Sequence, residues 1–168
     1  MAIYFDEKNR VFNLQTKNTS YIFAVIQGKY LFHMHYGKKV SAVCDVEEYA
    51  RQFGMNYATV DSTSDRVFGD YLPQEFSTFG SADYRKPTFH AQYENGSTVS
   101  KFSYKGYKIY GGKPALSGLP ATYAESDSEA TTLEIYLKDE YSGLEATLLY
   151  TVFEEIDAIA RSIQYKNS

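Results

Sequence analysis

The carboxy-terminal stretch, with its runs TLEIYLKD, GLEATLLYTVF and DAIARSIQY, restricts the fold more than any other part of the chain. Leu133, Ile135 and Leu137 alternate with Glu134, Tyr136 and Lys138, the period of two that belongs to a strand with one buried face. A Tyr-Ser-Gly turn leads into the second run, and in the third Ile159, Ile163 and Tyr165 fall on one side. Three such runs joined by short turns predict an antiparallel meander. A sheet with one apolar face must cover it, so a second layer is required.

The rest of the chain reads as further short strands. Tyr4-Phe5, the polar DEKN and Val11-Phe12-Asn13-Leu14 read as a hairpin, and TSYIFAVI (19–26) is apolar on both faces, as a central strand would be. Gln27-Gly28-Lys29 turns it into YLFHMHY (30–36). In that run strict alternation places Leu31, His33 and His35 on one face and Phe32, Met34 and Tyr36 on the other. Asn95-Gly96 between two alternating runs predicts a hairpin with a type I′ turn, which needs φ > 0 twice. Gly106, Gly111, Gly112 and Gly118, with Pro114 and Pro120, mark a turn-rich crossing. One short helix is expected near 45–53, capped by Asp45 with Glu48 three residues on, its apolar face formed by Val46, Tyr49 and Phe53. From Gly54 to Asp70 no period is visible, and a loop this long in a domain is functional or disordered. The expectation is an all-β, antiparallel β-sandwich with that single short helix, one domain over 1–168. With 17 tyrosines, 11 phenylalanines and no tryptophan, the composition fits pleated, half-buried faces.

Seventeen Lys+Arg against twenty-one Asp+Glu give a net charge of −4, and no basic stripe is present. Nucleic acid is therefore not an expected partner. No apolar run approaches the roughly 18 residues of a membrane helix, so no membrane partner is expected. The amino terminus, MAIYFDEKNR, lacks a basic start followed by an apolar core, and a cytoplasmic location is expected.

Few residues are arranged for chemistry. His33 and His35 would need a third ligand to hold a metal, and His90 is distant in sequence; the expectation is no metal and no organic cofactor. Cys44 is the only cysteine and stands in no Cys-His motif. Glu154, Glu155 and Asp157 read as a solvated turn. The segment LPQEFSTFGSADYRKPTF (72–89) is the one constellation of interest. Asp83 and Arg85, if on a strand, share a face about 7 Å apart, and Glu75 follows Pro73 in a turn where it could accept backbone N–H bonds. Acid/base work would need an apolar pocket to shift a pKa, and none is legible. Glu75, Asp83 and Arg85 therefore read as structural framework, with no catalytic residue assigned.

That same segment, followed by ENGSTVSKFSYKGYKIYGGKPALSGLPATY, TLEIYLKDEYSGLEATLLYTVF and DAIARS, resembles the amino-terminal domain of glycoside hydrolase family 36, the retaining α-galactosidases. The resemblance runs from about Ser64 to Asn167 and includes YLFHMHYGKKV, with Ser41–Thr63 the least similar part. It implies a β-supersandwich domain preceding a (β/α)₈ barrel that this chain lacks and that carries both catalytic aspartates. Retention requires two carboxylates flanking the glycosidic bond, so this chain by itself is expected to be inactive. The resemblance further implies the barrel of the same enzyme as partner, a homo-oligomer, and galactosides bound through the full enzyme. It also implies a loop lent to a neighbouring active site, where Asn56 and Tyr57 are the candidate sugar contacts. A stand-alone carbohydrate-binding module and a purely structural or assembly domain are the alternatives.

Overall fold

The computed structural model describes residues 2–41, 46, 72–80, 86–118 and 121–167. Its strands are β1 (Ile3–Asp6), β2 (Val11–Gln15), β3 (Thr19–Ile26), β4 (Tyr30–Lys38), β5 (Phe102–Gly111), β6 (Thr131–Asp139), β7 (Glu145–Phe153) and β8 (Ala158–Lys166). They form two four-stranded sheets, β1-β2-β3-β4 and β5-β6-β7-β8. Every pair is antiparallel, with each strand beside its sequence neighbour. The expected all-β sandwich is what the chain forms. Apart from Val46, the helix expected near 45–53 lies outside the described residues.

Alternation decides which side chains meet between the sheets. Phe12, Leu14, Phe23, Val25 and Leu31 from the first sheet pack on Leu133, Ile135, Leu137, Leu148, Tyr150 and Val152 from the second. Phe12 stacks on Phe23 at 5.1 Å and Phe23 on Tyr150 at 5.2 Å, so aromatic contact crosses the interface. Strand β3 is apolar on both faces because its other face is also covered. Ile22, Ala24 and Ile26 join Phe32, Val46 and Leu72 in a second cluster behind the first sheet.

Two local expectations fail, for identifiable reasons. The pairing of β3 with β4 steps from Ile22↔His35 to Phe23↔His33, so Met34 is an extra residue and the strand is bulged. Beyond the bulge the alternation inverts. His33 lies opposite Phe23 on the inner face and His35 opposite Ile22 on the other, so the two histidines do not share a face. At Asn95-Gly96 only Gly96 has positive φ, 81°. The bonds Gly96 N→Tyr93 O and Tyr93 N→Ser97 O, both 2.9 Å, close a three-residue loop with glycine in the left-handed position instead of a type I′ turn. Asn95 Oδ1 accepts from the Ser97 amide at 3.0 Å, which holds this alternative. The two positive φ angles that a type I′ turn requires occur instead at Gln27 (52°) and Gly28 (68°), between β3 and β4.

Candidate functional site

Residues 72–75 lie along the open edge of β4. His33 N donates to Pro73 O at 2.8 Å and Glu75 N to Leu31 O at 3.0 Å, with Gln74 bridged to Phe32. This pairing aims the Glu75 side chain between the sheets, where it is 1% exposed. Tyr21 Oη on β3 donates to its two oxygens at 2.8 and 2.9 Å, and Tyr150 Oη on β7 donates to Oε1 at 2.7 Å. Arg161 on β8 closes the group, with Nη2 2.6 Å from Oε1. His33 Nδ1 stands 3.5 Å from Oε2, an electrostatic contact longer than a good hydrogen bond. The guanidinium lies over both tyrosine rings, 5.5 Å from Tyr21 and 5.1 Å from Tyr150.

One carboxylate thus joins three strands drawn from both sheets, β3, β7 and β8. Burial by itself would raise the Glu75 pKa. The neighbouring His33, the Arg161 charge and the two phenol donors outweigh it and hold the carboxyl below the usual range. Burial, and after it the negative charge of Glu75, pushes the Tyr21 and Tyr150 hydroxyls up, so both remain donors. An ionised acid enclosed by three donors has neither a proton to give nor the exposure to take one from a substrate. The arrangement clamps the sheets; it is not built for acid/base chemistry.

A second buried carboxylate, Asp139, is 0% exposed at the end of β6. Its Oδ1 accepts from Lys101 N at 2.9 Å, and its Oδ2 from Tyr93 Oη at 3.0 Å and Ser142 Oγ at 2.5 Å. Burial raises its pKa, but the Ser142 hydroxyl, the Lys101 amide and the Tyr93 hydroxyl lower it further, to a net value below the ordinary range. Asp139 therefore binds the β6–β7 turn to the segment that enters β5.

The chain matches the model of the glycosyl hydrolase family 36 N-terminal domain over residues 29–168. It belongs to that family. It is 40% identical over 168 residues to alpha-galactosidase AgaA of Geobacillus stearothermophilus, covering 99% of this chain and 23% of the relative. It is 41% identical to the bifunctional alpha-galactosidase/sucrose kinase AgaSK of Mediterraneibacter gnavus, covering all of this chain and 18% of that protein. The crystal structure of the family 36 alpha-galactosidase AgaB from Geobacillus stearothermophilus superposes with a TM-score of 0.90 at 39% identity, over 99% of this chain and 22% of that one. The chain thus spans less than a quarter of the length of these relatives.

Within this family 36 domain, Glu75 is the one sequence-selected framework residue among those described. Asn56, Tyr57, Asp83, Arg85 and Cys44 lie outside the described residues. Glu75 lies on a segment paired along β4, and among the described residues the bonds to its carboxylate come from side chains and not from backbone amides. His90 stacks on Phe79 at 4.8 Å. No group of three His, Cys, Asp or Glu side chains converges among the described residues. Asp157, read as part of a solvated turn, does more than that. Its carboxylate accepts from Thr16 Oγ1 at 2.6 Å and from the Asn18 amide at 2.8 Å, tying the β7–β8 turn to the β2–β3 turn.

Sequence reasoning missed Tyr21, Tyr150, Arg161 and Asp139, although a signal for two of them was present. Arg161 continues the inward series Ile159, Ile163 and Tyr165, and Asp139 continues Leu133, Ile135 and Leu137. A charged residue in register with a buried apolar face requires a buried partner.

Proposed function

We propose that this chain is the non-catalytic amino-terminal domain of an α-galactosidase, an enzyme that removes terminal α-linked galactose, and that it supports a catalytic barrel and the assembly of the oligomer. One observation carries the reading: nearly the whole chain aligns with a quarter or less of proteins named alpha-galactosidases. The site geometry agrees, because Glu75 and Asp139, the two buried carboxylates among the described residues, are saturated by structural donors. A doubly substituted form of AgaA from Geobacillus stearothermophilus, 40% identical over 94% of this chain with a TM-score of 0.86, was solved in complex with raffinose. Raffinose-type galactosides are accordingly the proposed substrates, handled in the cytoplasm.

Two preparations test this. The isolated chain should release no galactose from raffinose, and a chimera carrying it in place of the matching segment of AgaA should hydrolyse raffinose. Release by the isolated chain would refute a non-catalytic role. A folded chimera that assembles yet lacks activity would refute the supporting one.

A further inference from the structure

The two turns that Asp139 binds together form the walls of an open groove at one end of the sandwich. One wall is the loop at 93–97, closed by Gly96; the other is the β6–β7 turn at 139–143. Asp139 holds both through Tyr93 Oη and through the Ser142 hydroxyl and amide, the amide at 3.3 Å. Tyr93 Oη is also 2.6 Å from Ser100 Oγ, and Gly143 N donates to Asp139 O at 3.0 Å. The walls are therefore set by a buried, fully engaged carboxylate, which makes the groove a preformed feature.

Its lining has a distinct chemistry. Glu94, Asn95, Ser97, Val99, Tyr141 and Asn167 face it, and no lysine or arginine does among the described residues. Tyr141 is 74% exposed and Val99 44% exposed. An exposed ring beside an aliphatic side chain offers a flat apolar surface, while one carboxylate, two amides and a hydroxyl offer hydrogen bonds of both polarities. The absence of a cation disfavours phosphates and other anions. A neutral ligand with hydroxyl groups on its rim and an apolar face of C–H groups matches this lining, and a hexopyranose has that form.

We propose that this groove is a saccharide-binding site, with the Tyr141 ring stacking on a sugar face and Glu94, Asn95 and Asn167 bonding its hydroxyls. The choice of a galactoside over other sugars rests on the function proposed above; the saccharide class rests on the groove itself.

The test is an amide NMR titration of the 168-residue chain with raffinose, repeated with maltose, up to about 100 mM, since single-ring contacts give Kd values on the order of millimolar. Expected are shifts confined to residues 93–99 and 141–144, weakened about tenfold or more by Tyr141→Ala and reduced by Glu94→Gln. The Tyr141 ring is exposed and only its backbone amide reaches Asp139, at 3.4 Å, so Tyr141→Ala should melt with the parent chain. No shift at the highest raffinose concentration, shifts mapping elsewhere, or shifts unchanged in Tyr141→Ala would overturn the site. Equal response to maltose would overturn the galactoside assignment. These outcomes are independent of the chimera's hydrolysis, so failure of the groove and failure of the enzyme reading are separable.

Discussion

At the scale of single residues, Glu75 shows how one side chain can serve as a fastening. Its carboxylate bonds partners 54, 75 and 86 positions away in the chain. Because its folded pKa lies below the unfolded value, it contributes stability above about pH 4.3 that is lost as the pH falls through the folded value. Glu75→Gln should cost about 2 kcal/mol in urea unfolding near pH 7, below the roughly 3–5 kcal/mol of a fully buried pair because Arg161, with 47% of its side chain exposed, can rehydrate. The same variant should lose less stability than the parent between about pH 5 and pH 3. An equal acid slope in both proteins would show that Glu75 is not the titrating fastening. The sequence signals that Arg161 needs a buried partner but not which residue supplies it. Residues 73–75 pair along β4, and the three donors come from strands whose approach depends on how the sheets stack.

At the scale of elements, the β6-β7-β8 meander was legible from period two and its turn residues, the β1–β2 hairpin from its polar turn, and the central β3 from a run apolar on both faces. The β4 bulge was not legible, because an extra residue leaves no compositional trace and is fixed by pairing with β3. The crossing after β5 shows what a single backbone position can require. Gly112 has φ 80°, and a Cβ there would collide with the Asp127 carboxylate. Its carbonyl accepts from the buried Thr132 hydroxyl at 2.6 Å, so the backbone cannot shift freely. Gly112→Ala should therefore destabilise by about 2–4 kcal/mol, combining left-handed strain with overpacking. Gly118 has the same φ, 80°, and no atom of the described residues stands within 4 Å of where a Cβ would be. Gly118→Ala should cost only the strain, about 1 kcal/mol. Equal losses in paired thermal melts would remove the steric part of this account.

At the scale of the whole molecule, the two sheets expose edges and apolar surface that a larger assembly would cover. Tyr123 is 78% exposed and Ile156 71%, flanking a shallow face that includes Phe153, Ala158 and Ala160. Edge strand β8 leaves one side of its backbone unpaired in the sheet order. The isolated chain should self-associate as concentration rises, and sedimentation velocity over a dilution series should show it. A monomer at every concentration would mean that these surfaces are tolerated in water. By itself the sequence determined the fold class, the meander and the family, because each is written in local patterns: alternation, turn residues and ordered motifs. Tertiary structure alone decided that Glu75 clamps two sheets, that His33 and His35 part company, and that Asp139 fixes the walls of a groove. The physical reason is range: hydrophobic period is read over a few neighbours, whereas a buried charge is satisfied by whatever side chains the packed sheets bring to it.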